Sequence, residues 1–167
     1  MLSRERAVSV IEALHEAEAF AGLSEEECQT LSSVASRRTA AAGEVLFKTG
    51  DPATELLVIR RGRVELTFPL LVMGESRETR FQSLEAGRTL AWSALVPPFR
   101  LTMSARCSTD AEILVLERTR LEKLFGERPD LAYRVMSNLS RVVAARLHEV
   151  VALWVREVQR NVSATYR

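Results

Sequence analysis

The sequence is short of the residues that build reactive or metal-binding centres. Of its 167 residues, two are cysteine and two are histidine. Cys28 and Cys107 stand far apart, in segments that read as a helix and a strand, so neither a C-x-x-C pair nor a disulfide framework can be drawn. Two reduced, buried thiols are expected. His15 and His148 both fall on predicted helices, which excludes the several histidines and a carboxylate that a strand-borne metal centre needs. Ser93 has no histidine nearby in the chain and reads as a cap in a turn, not a nucleophile. No catalytic residue and no metal ligand is assigned, and the chain is expected not to be an enzyme.

Charge of one sign is missing as well. Lys plus Arg number 23 against 22 Asp plus Glu, a formal net charge of +1, with no long run of either sign. Neither a nucleic-acid partner nor an anionic membrane surface is implied. No stretch approaches the ~18 apolar residues of a spanning helix. The N-terminal "MLSRERAVSVIEALHEAEAF" lacks the continuous apolar segment and cleavage site of a secretory signal. The expectation is a cytoplasmic protein. With 47% hydrophobic residues the chain can bury a core of its own, as one domain of ordinary size with an added helix.

What is present falls into three textures. Ala7, Val8, Ile11, Leu14 and His15 recur at helical spacing, predicting an amphipathic helix over 4–18. In "GLSEEECQTLSSVA", Ser24 followed three residues later by Glu27 fits a capping box, with Leu23 before it as a staple residue, so a second short helix starts there. From residue 43 short β-like runs follow: "EVLF", "ELLVI", "RVELTF", "ETRFQSL", "LTMSARC" and "EILVLE", separated by Gly, Pro or Asp. Such spacing suggests a sandwich or barrel. Arg61-Gly62 lies between two of these runs and predicts a tight hairpin with Gly62 at positive φ, while Pro69 and Gly74-Glu75-Ser76 mark another reversal or an edge strand.

After residue 117 the helical period returns. "RTRLEKLFGERPDLAYRVM" reads as a short helix ending near Gly126, with a new start at Pro129-Asp130. The last helix carries Met136, Leu139, Val143, Leu147, Val150, Trp154 and Val158 at steps of three and four. Some thirty residues at ~1.5 Å each make a rod on the order of 45 Å, longer than a small β domain is wide. The expectation is a helix that packs on its own domain at the start and on a second copy later, with Leu147, Val150 and Trp154 as central contacts of a homodimer. Arg141, Arg146, Arg156 and Arg160 read as its solvated face.

This order of elements resembles the cyclic nucleotide-binding domain, the sensor module of Crp/Fnr-type bacterial regulators. The resemblance is carried by "FAGLSEEE" (20–27), "AGEVLFKTGD" (42–51), "LLVIRRGRVEL" (56–66), "LEAGRTLAWSALV" (84–96) and "SARCSTDAEILVLER" (104–118), and covers about residues 20 to 150. It implies an α+β fold: an antiparallel, jelly-roll-like β roll with N-terminal helices and a long C-terminal dimerisation helix. The organisation expected is an N-terminal helix over 1–19, the roll domain over 20–128, and the long helix and tail over 129–167.

In that family a tight turn and one-turn helix hold the cyclic phosphate through backbone N–H groups and an Arg, while a Glu takes the ribose hydroxyl. Laid onto this chain without gaps, the family's Phe-Gly-Glu-x-Ala-Leu falls on residues 90–95, so that its Glu position is Trp92. Its Pro position becomes Arg100, its Arg position Leu101, and its Thr/Ser position Ser104. The candidate ligand site is therefore Ala91, Trp92, Ser93, Ala94, Leu95, Arg100, Leu101 and Ser104, with both charged anchors exchanged. Ser93, Ala94 and Leu95 would offer N–H groups and Ser104 its hydroxyl.

Three readings of the turn stay open. Arg100 swings in to replace the missing arginine while Trp92 stacks on a flat ligand; or Trp92 fills the pocket as core; or the pocket takes some other small anion. No cofactor is certain, and a cyclic nucleotide or another small anion is the ligand class implied. Only residues 157–167 follow Arg156, too few for a helix-turn-helix, so no DNA partner is expected of this chain, whereas a protein partner is. The function expected is a regulatory or sensor module signalling through its C-terminal helix. The alternative is a ligand-independent dimerisation scaffold.

Overall fold

Two apolar runs among the β-like segments, "ELLVI" and "EILVLE", do not alternate, and the computed structural model, which describes residues 10–165, shows why. They form β3 (Glu55–Arg61) and β8 (Ala111–Glu117), neighbours in one sheet that is covered on both faces. Leu57, Ile59, Ile113 and Val115 point into the roll, whereas Leu56, Val58, Leu114 and Leu116 point at a helical layer. A strand buried on both sides has no position for a polar alternate.

The remaining strands are β1 (Ala35–Ala40), β2 (Val45–Phe47), β4 (Val64–Val72), β5 (Glu75–Leu84), β6 (Thr89–Leu90) and β7 (Ser104–Cys107). Two antiparallel four-stranded sheets result, ordered β1-β8-β3-β6 and β2-β7-β4-β5, and they enclose the inner core between them. This is the expected β roll.

Gly62 takes φ +92°, as predicted, but the turn it serves is not a hairpin. It carries the chain from β3 in one sheet to β4 in the other. A Cβ at Gly62 would stand 2.4 Å from the carbonyl oxygen of Asp110, so this sheet-to-sheet corner admits no side chain. The second reversal, at Met73-Gly74, does close a hairpin, β4–β5. Pro69 is tolerated there because β7 reaches only to Thr67, leaving that side of β4 without a neighbour.

The helices are α1 (described over 10–16), α2 (Glu25–Ser32), α3 (Arg118–Glu127) and α4 (Pro129–Thr165), with a 3₁₀ turn at Glu18–Phe20 after α1. The Ser24–Glu27 capping box is present: Glu27 N–H donates to Ser24 Oγ at 3.2 Å, and Ser24 N–H donates to Glu27 Oε2 at 2.7 Å. Leu23 and Cys28, the staple pair, share the helical core. Of the first helix's predicted stripe, Ala7 and Val8 lie outside the described residues. Ile11 packs partly buried on the helical core and Leu14 is buried in it, whereas His15 is exposed, and Ala13 and Ala17 complete the packed face. Both cysteines are free and buried. Burial, with the Glu27 carboxylate beside it, pushes the Cys28 thiol up to about 11.

At 37 residues α4 extends about 55 Å. Its first half sets Leu131, Val135, Leu139 and Val142 inward. Leu139, 1% exposed, belongs to the chain's own core and is not available to a second copy, which corrects its place on the predicted dimer stripe. From Leu147 onward the apolar residues face solvent: Leu147 is 61% and Trp154 66% exposed, and Val150 and Val158 are exposed with them. Among the described residues no helix is long and apolar enough to cross a membrane.

Candidate ligand site

The turn that raised the ligand question begins where β6 ends. Ala91 adopts φ 54°, ψ 32°, and Trp92–Ala94 form a single 3₁₀ turn. The backbone turns here as the resemblance implies for a phosphate-holding turn, yet much of its donor capacity is used. Ala94 N–H donates to Ala91 O at 2.9 Å and Leu95 N–H to Trp92 O at 3.0 Å, so two of the three N–H groups expected to face a ligand close the turn itself. Ser93 is buried in it.

The two positions that should decide phosphate binding have other work. Leu101, 7% exposed, packs with Ala53 and Ala94 in a small cluster under the turn, where a charged side chain would be stranded. Arg100 is exposed and donates from Nη1 to Gly50 O at 2.9 Å. Its backbone is bridged to Pro52, and Ala53 N–H donates to Phe99 O at 2.8 Å, so the segment is fastened to the loop between β2 and β3. The Arg118 guanidinium lies 4.6 Å over the Phe99 ring and holds the same segment from the other side. Arg100 thus stands outside the cavity, contrary to the reading in which it swings in. Ser104 is also engaged: Thr49 N–H donates to its Oγ at 3.1 Å, and the Thr49 hydroxyl lies at 3.2 Å.

Beneath the turn is a cavity of about 50 Å³, walled by Phe47, Leu90, Trp92 and Leu101 and, unexpectedly, by Thr89 and Arg146. Drug-sized ligands occupy clefts of roughly 300–1,000 Å³. At about 50 Å³ the enclosed space is that of a group of a few heavy atoms. Trp92 is half-buried; it lines this cavity and also packs on the helical core, so it is part of the wall and not a free stacking platform.

Arg146 was placed by sequence on the solvated face of the last helix. Instead its side chain is 8% exposed and ends in a network that joins three elements. Its Nη2 lies 3.3 Å from Glu18 Oε1 and its Nη1 3.4 Å from Glu149 Oε2. Glu18 Oε1 also accepts Thr89 N–H at 2.9 Å, and its Oε2 lies 3.3 Å from Arg88 Nε. Burial, seconded by the Arg88 charge, pushes Arg146 below the usual guanidinium range, against the pull of Glu18 and Glu149. A second tie lies two turns earlier on α4, where Asn138 Nδ2 donates to Ala21 O at 2.8 Å. Glu18 thus ties the strand that leads into the turn to the helix that leaves the domain.

A β roll entered by helices, a 3₁₀ turn over a cavity in the wall of the roll and a long helix against that wall are the arrangement of a class of regulatory domains. The chain belongs to the cyclic nucleotide-binding domain family, whose model matches residues 37–128. It is similar to a putative cyclic nucleotide-binding protein from Geobacter metallireducens GS-15, with 26% identity, a TM-score of 0.67, and 82% of this chain and 97% of that one covered. It is likewise similar to the catabolite activator protein of Thermus thermophilus, with 26% identity, a TM-score of 0.71, and 86% and 63% covered. Among curated proteins it is 31% identical over 128 residues to Glutaminase 1 of Bradyrhizobium diazoefficiens, matching 75% of this chain. The match spans only 19% of that relative's length.

Proposed function

We propose that this chain is a non-enzymatic regulatory module that passes the state of its cavity outward along α4 and works as a homodimer, without holding cyclic nucleotide in the family's usual pose. One observation carries the reading: α4 contributes Arg146 to the cavity wall and, from the next residue on, an exposed apolar surface that has no partner among the described residues. A ligand that draws on Arg146 therefore acts on the helix that bears the dimer surface. Leu147, Val150 and Trp154 are the contacts that surface offers, at coiled-coil-like spacing. The partner is protein, a second copy first, in place of nucleic acid or membrane. The Glutaminase 1 match, confined to a fifth of that protein, is compatible with a module that serves a larger assembly; it does not make this chain a glutaminase.

A second reading, a scaffold that has lost sensing, is favoured by the small cavity and by Leu101 in the arginine's place. Thermal melting with cAMP and cGMP separates the two, because a ligand that binds only the native state must raise Tm. The sensor reading expects a nucleotide- or anion-specific rise, and the scaffold none. Calorimetry on Arg100→Ala checks the pose: affinity for whichever nucleotide binds should stay within two-fold of wild type. A ten-fold loss would put Arg100 back in the pocket and contradict the proposal.

A further inference from the structure

We infer that the cavity beneath the turn is a site for a small oxyanion of phosphate size, held by Arg146 of α4 and the Thr89 hydroxyl of β6 in place of the arginine that the turn lacks. The inference rests on the regulatory reading above and names its ligand class and the residue that reports on it. Thr89 lines the cavity, is 1% exposed, and its Oγ1 is buried without a hydrogen-bond partner. A buried hydroxyl left unpaired is costly, and a ligand oxygen would remove that cost.

Arg146 supplies the charge. A guanidinium has five N–H donors in a planar fork, and this one meets carboxylate oxygens only at 3.3 and 3.4 Å, long for charge-assisted bonds. It retains donors for a third acceptor. The volume fits too: about 50 Å³ accommodates a tetrahedral oxyanion, and the apolar walls, Phe47, Leu90 and Leu101, strengthen its attraction to Arg146 by excluding water.

The exchange frees Glu149, whose side chain is 40% exposed and turns to water. When an oxyanion draws Arg146 toward the cavity, Glu18 keeps the Thr89 N–H and Arg88. The contact between α4 and the Glu18–Phe20 turn loosens as the contact between α4 and the cavity tightens, so occupancy is converted into a shift of the helix. In the family's pattern the anion is anchored by the turn; here its anchor sits on the element that responds.

The oxyanion could come free, as inorganic phosphate, or as the phosphodiester of a cyclic nucleotide. Calorimetry on the full chain with inorganic phosphate, and separately with cAMP and cGMP, distinguishes these sources. The site is supported if phosphate binds, or if a nucleotide alone binds, and if Arg146→Gln and Thr89→Val each weaken that binding ten-fold or more while Arg100→Ala leaves it within two-fold. Thr89→Val is nearly isosteric and removes only the unpaired hydroxyl, so it reports even where Arg146→Gln does not fold. Absence of binding by all three probes, or binding that Thr89→Val leaves unchanged, overturns the site. Light scattering on the same samples keeps the two proposals apart: an intact dimer that binds no oxyanion sinks this site and not the module, whereas a monomer sinks the module and leaves the site to calorimetry.

Discussion

The two halves of α4 share a composition and differ in everything around them. From Leu131 to Arg146 the helix packs into the helical core and ends in a buried cation; from Leu147 on it carries Leu147, Val150, Leu153, Trp154 and Val158 into solvent. Helical period alone does not separate them, since both halves show apolar residues at steps of three and four. What separates them is where the domain stops. The first half buries its hydrophobic residues inside the domain, and the second leaves its own exposed.

That contrast can be broken or sharpened by experiment. The largest effect should come from the inner half: Leu139→Ala should lower unfolding free energy by about 2–5 kcal/mol in a urea titration, through lost burial and a residual cavity. A pH effect should follow from the same core. The folded-state pKa of Cys28 is raised from 9.0 to about 11, so between those values the unfolded chain releases a proton that the folded one keeps, and stability falls as pH rises through the window. Two pKa units correspond to at most about 2–3 kcal/mol. Denaturant melts at pH 8.5 and 10.5 should show the drop, and Cys28→Ala should flatten it.

Glu18→Gln comes next, at about 1–3 kcal/mol, because it leaves Arg146 and Arg88 with a neutral acceptor where a carboxylate stood. The smallest effect belongs to the outer half. Leu147→Ala should change the stability of the dilute protein by no more than about 0.5 kcal/mol, as expected for an exposed position. A loss from Leu147→Ala as large as that from Leu139→Ala would erase the contrast.

How much of this was legible in the sequence follows from how local each signal is. The Ser24–Glu27 cap, the positive φ of Gly62 and the α3–α4 break at Pro129 are set by neighbours within a few residues, and all three are found where expected. β1, "ASRRTA", was missed because an edge strand with one face in water carries no apolar alternation. The Gly62 hairpin was misread because sheet membership depends on β8 and β7, far along the chain.

The site divides in the same way. The turn's position was legible from its flanks, and the exchange of its charged anchors could be read directly from Trp92 and Leu101. Arg146 was not. Its exposed neighbours Arg141 and Arg156 suggest a solvated face, and its burial depends on Glu18, 128 residues away. The placement of Leu139 on the outer stripe failed for a related reason: a stripe continuous in sequence passes from core to solvent without any change in spacing.

The claim that α4 serves its own domain with one half and a second copy with the other is tested most directly by light scattering of the full chain over a range of concentrations, alongside Trp154→Glu. The account predicts a dimer whose dissociation constant rises ten-fold or more in the variant, with the thermal stability of the separated chain unchanged. A wild-type protein that stays monomeric at every concentration would contradict it.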